Sequence, residues 1–181
     1  MPNLCFNNTD LFFPSREIYD KFLSSINDKN WFMTFSPIES NLDPSGNVFW
    51  NVYTACSEWN TKWEALEIVI NDLNTVDLSI CLSYYTAWSP PTGVYEKMFS
   101  QFGINVSSCY YEDGMEYFGL CEYNKDIFKN DAYDYPKNKD ELLELRNQIG
   151  INSVLDNFME STWVELEDNW DEEQESVDFE I

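Results

Sequence analysis

The sequence predicts an α+β fold, an antiparallel sheet with helices on one face, followed by an acidic helical extension. Three observations predict it. Runs rich in β-branched and aromatic residues alternate with segments of helical apolar spacing. The first helical segments carry their own start and stop signals. Basic residues end at Arg146, so the last stretch of helical periodicity has acids alone among its charges.

Taken in order, residues 4–13 read as a strand that Pro14 ends. Ser15 is placed to cap a helix through about Asn27, with Ile18, Phe22, Leu23 and Ile26 on one face. Residues 31–35 have β-like composition, residues 36–46 form a loop with two prolines and a Ser-Gly pair, and residues 48–53 are β-like again. Residues 65–70 and 76–85 read as neighbouring antiparallel strands, punctuated at 71–75. Pro90-Pro91 opens a helix through Phe102, with Gly103 at its C-terminal cap. Residues 104–111 and 115–123 are strands around a turn at Glu112-Asp113-Gly114. Residues 133–138 look like a linker between a first domain, 1–135, and an acidic helical extension and tail, 136–181. The extension holds a short helix at 139–148 and a longer one from Ser153, with Leu155, Phe158, Met159, Thr162, Trp163, Leu166 and Trp170 at helical intervals.

Charge is the most extreme property. Lys and Arg total 10 and Asp and Glu total 33, a net charge of -23 over 181 residues. Solubility asks for a magnitude of only about 2–8 in a small domain. Duplex DNA carries one charge per ~1.7 Å, so this charge equals that of about 39 Å of duplex, close to the diameter expected of a globule this long. Such a chain is repelled by nucleic acid and anionic membranes and attracted to basic clefts. Hydrophobic residues make up 44% of the chain, enough for a packed core.

Histidine is absent, which removes the commonest general acid–base and metal ligand. The five cysteines, Cys5, Cys56, Cys81, Cys109 and Cys121, are odd in number and irregularly spaced, and read as reduced thiols of a cytoplasmic protein without a zinc site. No stretch approaches a membrane span, and the first residues lack the pattern of a signal peptide. No P-loop, dinucleotide fingerprint or nucleophile elbow occurs. A non-catalytic protein without a cofactor or metal is expected.

Three constellations stand out. After Arg146 come 11 acids with no counter-charge. The candidate partner-binding residues among them are Glu165, Glu167, Asp168, Asp171, Glu172 and Glu173, interleaved with Trp163 and Trp170, since aromatics beside charges suit an interface better than a solvating tail. Like charges at helical spacing cost roughly 0.2–0.5 kcal/mol each, so this helix is expected to firm up against cations. Trp59-Asn-Thr-Lys-Trp63 and Trp88-Ser-Pro-Pro-Thr92 are the densest local signatures, read as tryptophans closing the ends of strands, with an aromatic groove as the functional alternative. Acid pairs such as Asp131/Asp134 have no EF-hand spacing.

Met1-Pro-Asn, Trp59-Asn-Thr-Lys-Trp63, Tyr85-Thr-Ala-Trp88-Ser-Pro-Pro91 followed by a helix, and the hairpin ending in Tyr117-Phe-Gly119 together resemble the YubB-type ferredoxin-like domain of phage and plasmid proteins. The resemblance spans about residues 1–125 and departs from the family at Asn60, usually glycine, and Ala87, usually proline. It implies a ferredoxin-like core and a mobile-element origin, with no chemistry to transfer residue by residue. In size and acidity the chain is also similar to anti-CRISPR proteins that inhibit Cas9. The expected function is therefore an anti-defence inhibitor acting in the host cytoplasm, a DNA mimic that docks on a basic nucleic-acid-binding protein such as a Cas9-type effector. The alternatives are a small carboxylate- and metal-dependent hydrolase or nuclease, and an acidic interaction module or chaperone for a basic co-encoded protein.

Overall fold

A computed structural model describes residues 3–42, 44–45, 48–138, 140–141 and 144–145. The chain divides into two compact units, Met1–Tyr133 and Asp134–Ile181. Among the described residues the first is α+β, with a six-stranded antiparallel sheet and four helices.

Strand β1, Leu4–Phe12, lies at the centre between β5, Ser79–Ala87, and β6, Asn105–Glu112, antiparallel to both. Its alternation of side chains buries Cys5, Asn7, Thr9 and Leu11 on one face. Ile80, Leu82 and Tyr84 of β5 and Val106, Ser108 and Tyr110 of β6 continue that buried face. The sheet order is β4-β5-β1-β6-β7-β8, where β4 is Leu66–Asn74, β7 is Tyr117–Tyr123 and β8 is Phe128–Asp134.

Helix α1, Arg16–Asn27, starts where Ser15 accepts the Ile18 N–H. It buries Tyr19, Phe22 and Ser25, with Ile18, Leu23 and Ile26 half-buried beside them. Helix α4, Thr92–Phe102, packs Val94, Tyr95 and Met98 on the core and ends at Gly103, whose φ of 68° is the left-handed conformation glycine takes freely. Both helices behave as their caps and spacing predict.

The core contains a closed polar cluster. Thr9 Oγ1 lies 3.0 Å from Tyr95 Oη and 2.8 Å from Ser108 Oγ, and Tyr95 Oη lies 3.1 Å from Ser108 Oγ. Tyr84 Oη hydrogen-bonds Tyr95 Oη. Four buried hydroxyls thus satisfy one another where helix meets sheet.

Several sequence expectations are corrected. Residues 31–35 are helix α2, Trp31–Phe35, not a strand. Glu64 explains this, because its carboxylate accepts the Phe32 and Met33 N–H groups at 3.0 and 2.7 Å and closes the helical turn. The proline loop holds β2, Ser40–Leu42, paired with β3, Val48–Trp50. The chain then turns at Asn51 into helix α3, Val52–Trp59, where a strand was expected through residue 53. Asn51 accepts the Tyr53 and Thr54 N–H groups, so the cap ends the strand. Strand β4 continues through Asn71–Asn74, expected as punctuation, because Asn71 reaches sideways to Ser83 Oγ at 2.6 Å and the ladder absorbs the irregularity as a shift in register. β8 occupies part of the expected linker.

In the second unit, Asn138 accepts the Glu141 N–H at 2.9 Å and Glu141 accepts the Lys137 N–H at 2.8 Å, a reciprocal cap. The expected helix from Ser153, and most of that at 139–148, lie outside the described residues. No helix among the described residues is long and apolar enough to cross a membrane.

Candidate functional site

The two tryptophan motifs, 26 to 30 residues apart at their contacts, form one structure at the end of β5. Helix α3 ends on Asn60 in the left-handed conformation, φ 66°, which asparagine tolerates and for which glycine is the common alternative. That turn brings Asn60 Nδ2 to the Pro90 carbonyl at 3.0 Å. Thr61 Oγ1 donates to the Ala87 carbonyl at 2.9 Å and accepts the Ala87 N–H at 3.0 Å, while Ser89 Oγ donates to the Asn60 carbonyl. The α3–β4 and β5–α4 loops are thereby locked together.

Lys62 sits between the two motifs. Its Nζ lies 5.1 Å from the centre of the Trp63 ring and 5.4 Å from that of Trp88. Each contact is worth about 0.5–1 kcal/mol where exposed. Trp88 has φ 69°, a left-handed conformation costly for a bulky side chain. Hydrogen bonds on both sides hold it: its N–H donates to the Asn3 carbonyl at 3.0 Å, and its carbonyl accepts from Tyr117 Oη. The residue as a whole is 44% exposed. The backbone strain thus presents an aromatic ring to solvent with a cation fixed beside it.

Below this platform, Trp50 Nε1 donates to the Lys62 carbonyl at 3.0 Å and its ring packs on Trp59 at 5.2 Å. Trp59 Nε1 donates to the Ser36 carbonyl at 2.6 Å. Trp63 Nε1 is buried and has no hydrogen-bond partner among the described residues. Burial raises the Glu64 carboxyl to about 7, against the N–H groups of Met33, Phe32 and Ala65 that favour its ionised form.

Burial pushes the Cys5 thiol up to about 12, so it stays protonated. Burial likewise pushes Cys109 up to about 12 and Cys81 to about 11, and it raises Cys121. None of the five cysteines is in a disulfide. Among the described residues, no group of three or more Cys, Asp or Glu is placed to hold a metal ion.

The partner-binding residues expected from the sequence, Trp163, Glu165, Glu167, Asp168, Trp170, Asp171, Glu172 and Glu173, all lie outside the described residues. The sequence singled out both tryptophan motifs but held no signal that they meet, nor that Lys62 lies between them. Glu64 went unmarked because its partners are backbone groups of α2, 31 and 32 positions away. No family model, curated protein or solved structure matches the chain.

Proposed function

We propose that the protein is a non-catalytic, mobile-element inhibitor that binds a basic nucleic-acid-binding effector in the host cytoplasm and obstructs DNA recognition or cleavage. A Cas9-type effector is the specific case, since its channel is positively charged and holds a nucleic-acid duplex. The observation that carries this reading is the net charge of -23 with 11 acids after the last basic residue. A charge so large raises self-repulsion in the free protein, and a basic channel relieves it on binding.

The resemblance of residues 1–125 to YubB-type domains supports a phage or plasmid origin and a ferredoxin-like core. The strand order β4-β5-β1-β6, with α1 and α4 in the two crossovers, supports the same core. In this reading the core is a scaffold and the acidic C-terminus makes the contacts.

The test replaces Glu165, Glu167, Asp168, Asp171, Glu172 and Glu173 by their amides and measures association with a purified, guide-loaded Cas9-type effector across salt concentrations. The wild type should bind fast and lose affinity steeply with salt, and the amide variant should associate at least about tenfold more slowly. Binding that survives the substitutions and ignores salt would sink the charge-mimic reading.

A further inference from the structure

A nearly uncharged stretch of the chain is also an exposed apolar surface. Between Glu39 and Glu58 the sole charged residue is Asp43. The β2–β3 hairpin and the start of α3 fall in this window and expose Leu42 (68%), Val48, Phe49 (51%), Val52 and Tyr53 (87%). Scattered apolar residues on a surface need no explanation, but five exposed ones within twelve positions do.

The group is also held in place. Trp50 anchors β3 from beneath through its bond to the Lys62 carbonyl and its packing on Trp59. Asn51 fixes the corner into α3 by accepting the Tyr53 N–H at 2.8 Å. Side chains mounted on a fixed backbone lose less entropy on binding than those on a free loop.

We infer that the β2–β3 hairpin, with Tyr53, is an apolar anchor that inserts into a hydrophobic pocket beside the basic surface of the protein's partner. This rests on the inhibitor reading and adds a second contact to it. Charge complementarity selects the occupant. Two copies of the chain, each at -23, repel one another on approach, which opposes self-association. A basic partner has the opposite balance. Acidic side chains chiefly accelerate encounter and are screened by salt, whereas desolvated aromatic anchors set how long a complex lasts. The acids and the hairpin therefore divide association from residence.

The experiment measures association and dissociation rates of the full chain on a guide-loaded Cas9-type effector, with Leu42→Ser, Phe49→Ser and Tyr53→Ser. Val76→Ser, at an equally exposed apolar residue in the β4–β5 turn, is the control. All four positions are exposed, and unfolding curves check that each variant folds. Phe49→Ser and Tyr53→Ser should each raise the dissociation rate about tenfold or more, as expected of an anchor, with the association rate and its salt slope unchanged. Val76→Ser should change neither rate. If the hairpin variants dissociate like wild type while the amide variant still associates slowly, the anchor is wrong and the inhibitor reading stands. If wild type fails to bind the effector at any salt concentration, both fall. A dimer in sedimentation at 1 M salt that Phe49→Ser abolishes would assign the hairpin to a second copy and overturn the partner assignment.

Discussion

The carboxylate of Glu64 accepts the backbone N–H of Met33 at 2.7 Å, and with it the first turn of α2 becomes a product of tertiary structure. Its other oxygen accepts the Phe32 N–H at 3.0 Å. The helix it closes places Trp31, Phe32 and Phe35 in the core without exposure. A titratable group thus holds a large share of the aromatic packing.

The pH dependence follows from burial, which raises Glu64 to about 7 from an ordinary value of 4.5. The folded protein holds this proton at pH values where the unfolded chain has released it. The contribution is fully present below about 4.5 and is lost as pH rises through about 7, on the order of 3 kcal/mol in all. Denaturant unfolding of wild type and Glu64→Gln from pH 4.5 to 8 should show it. The difference in stability between the two should shift across that window, and a difference constant with pH would refute the assignment.

Gly93 lies against α3 with no room for a side chain. A Cβ there would stand 2.1 Å from the Glu58 carbonyl oxygen, a backbone atom. Gly93→Ala should therefore cost about 3 kcal/mol despite the better helix propensity of alanine. The Lys97–Glu58 ion pair crosses the same contact at 2.7 Å, but it is partly exposed, and Lys97→Ala should cost less than about 1 kcal/mol. Thermal unfolding of the two variants separates close approach from charge pairing.

Thr9 sits in the hydroxyl cluster with Tyr84, Tyr95 and Ser108. Thr9→Val keeps the shape and leaves its partners short of a bond, at a cost of about 2 kcal/mol. Combining it with Ser108→Ala should cost less than the sum of the two, because each removes the same 2.8 Å contact. Strict additivity in a double-mutant cycle would mean that the hydroxyls do not act together.

Trp88 carries strain that glycine would relieve. Trp88→Gly should fold with a stability within about 1 kcal/mol of wild type, the gain in backbone freedom offsetting the lost Lys62 contact. Trp88→Val should be less stable than Trp88→Gly by about 1–2 kcal/mol, since a branched side chain in the left-handed region keeps the strain and loses the ring. Unfolding free energies in the reverse order would show that the left-handed geometry is absent in solution.

What could be read in the sequence is what neighbouring residues decide. The Ser15 cap, the Gly103 stop, the alternation along β1, β5 and β6 and the paired prolines before α4 each act over a few positions, so composition and spacing reveal them. Net charge is likewise a sum that needs no coordinates. What tertiary structure decided is everything that depends on a distant partner. Trp-Phe-Met-Thr-Phe has the composition of a strand and becomes a helix because a carboxylate 31 positions away caps it. β4 runs past Asn71 because Ser83 receives its side chain. Two motifs legible only as separate signatures become one platform because Asn60 and Thr61 bind the backbone of Pro90 and Ala87, and that contact sets Lys62 against Trp88. Charge is additive along a chain, whereas a site is made by folding residues far apart in sequence into contact.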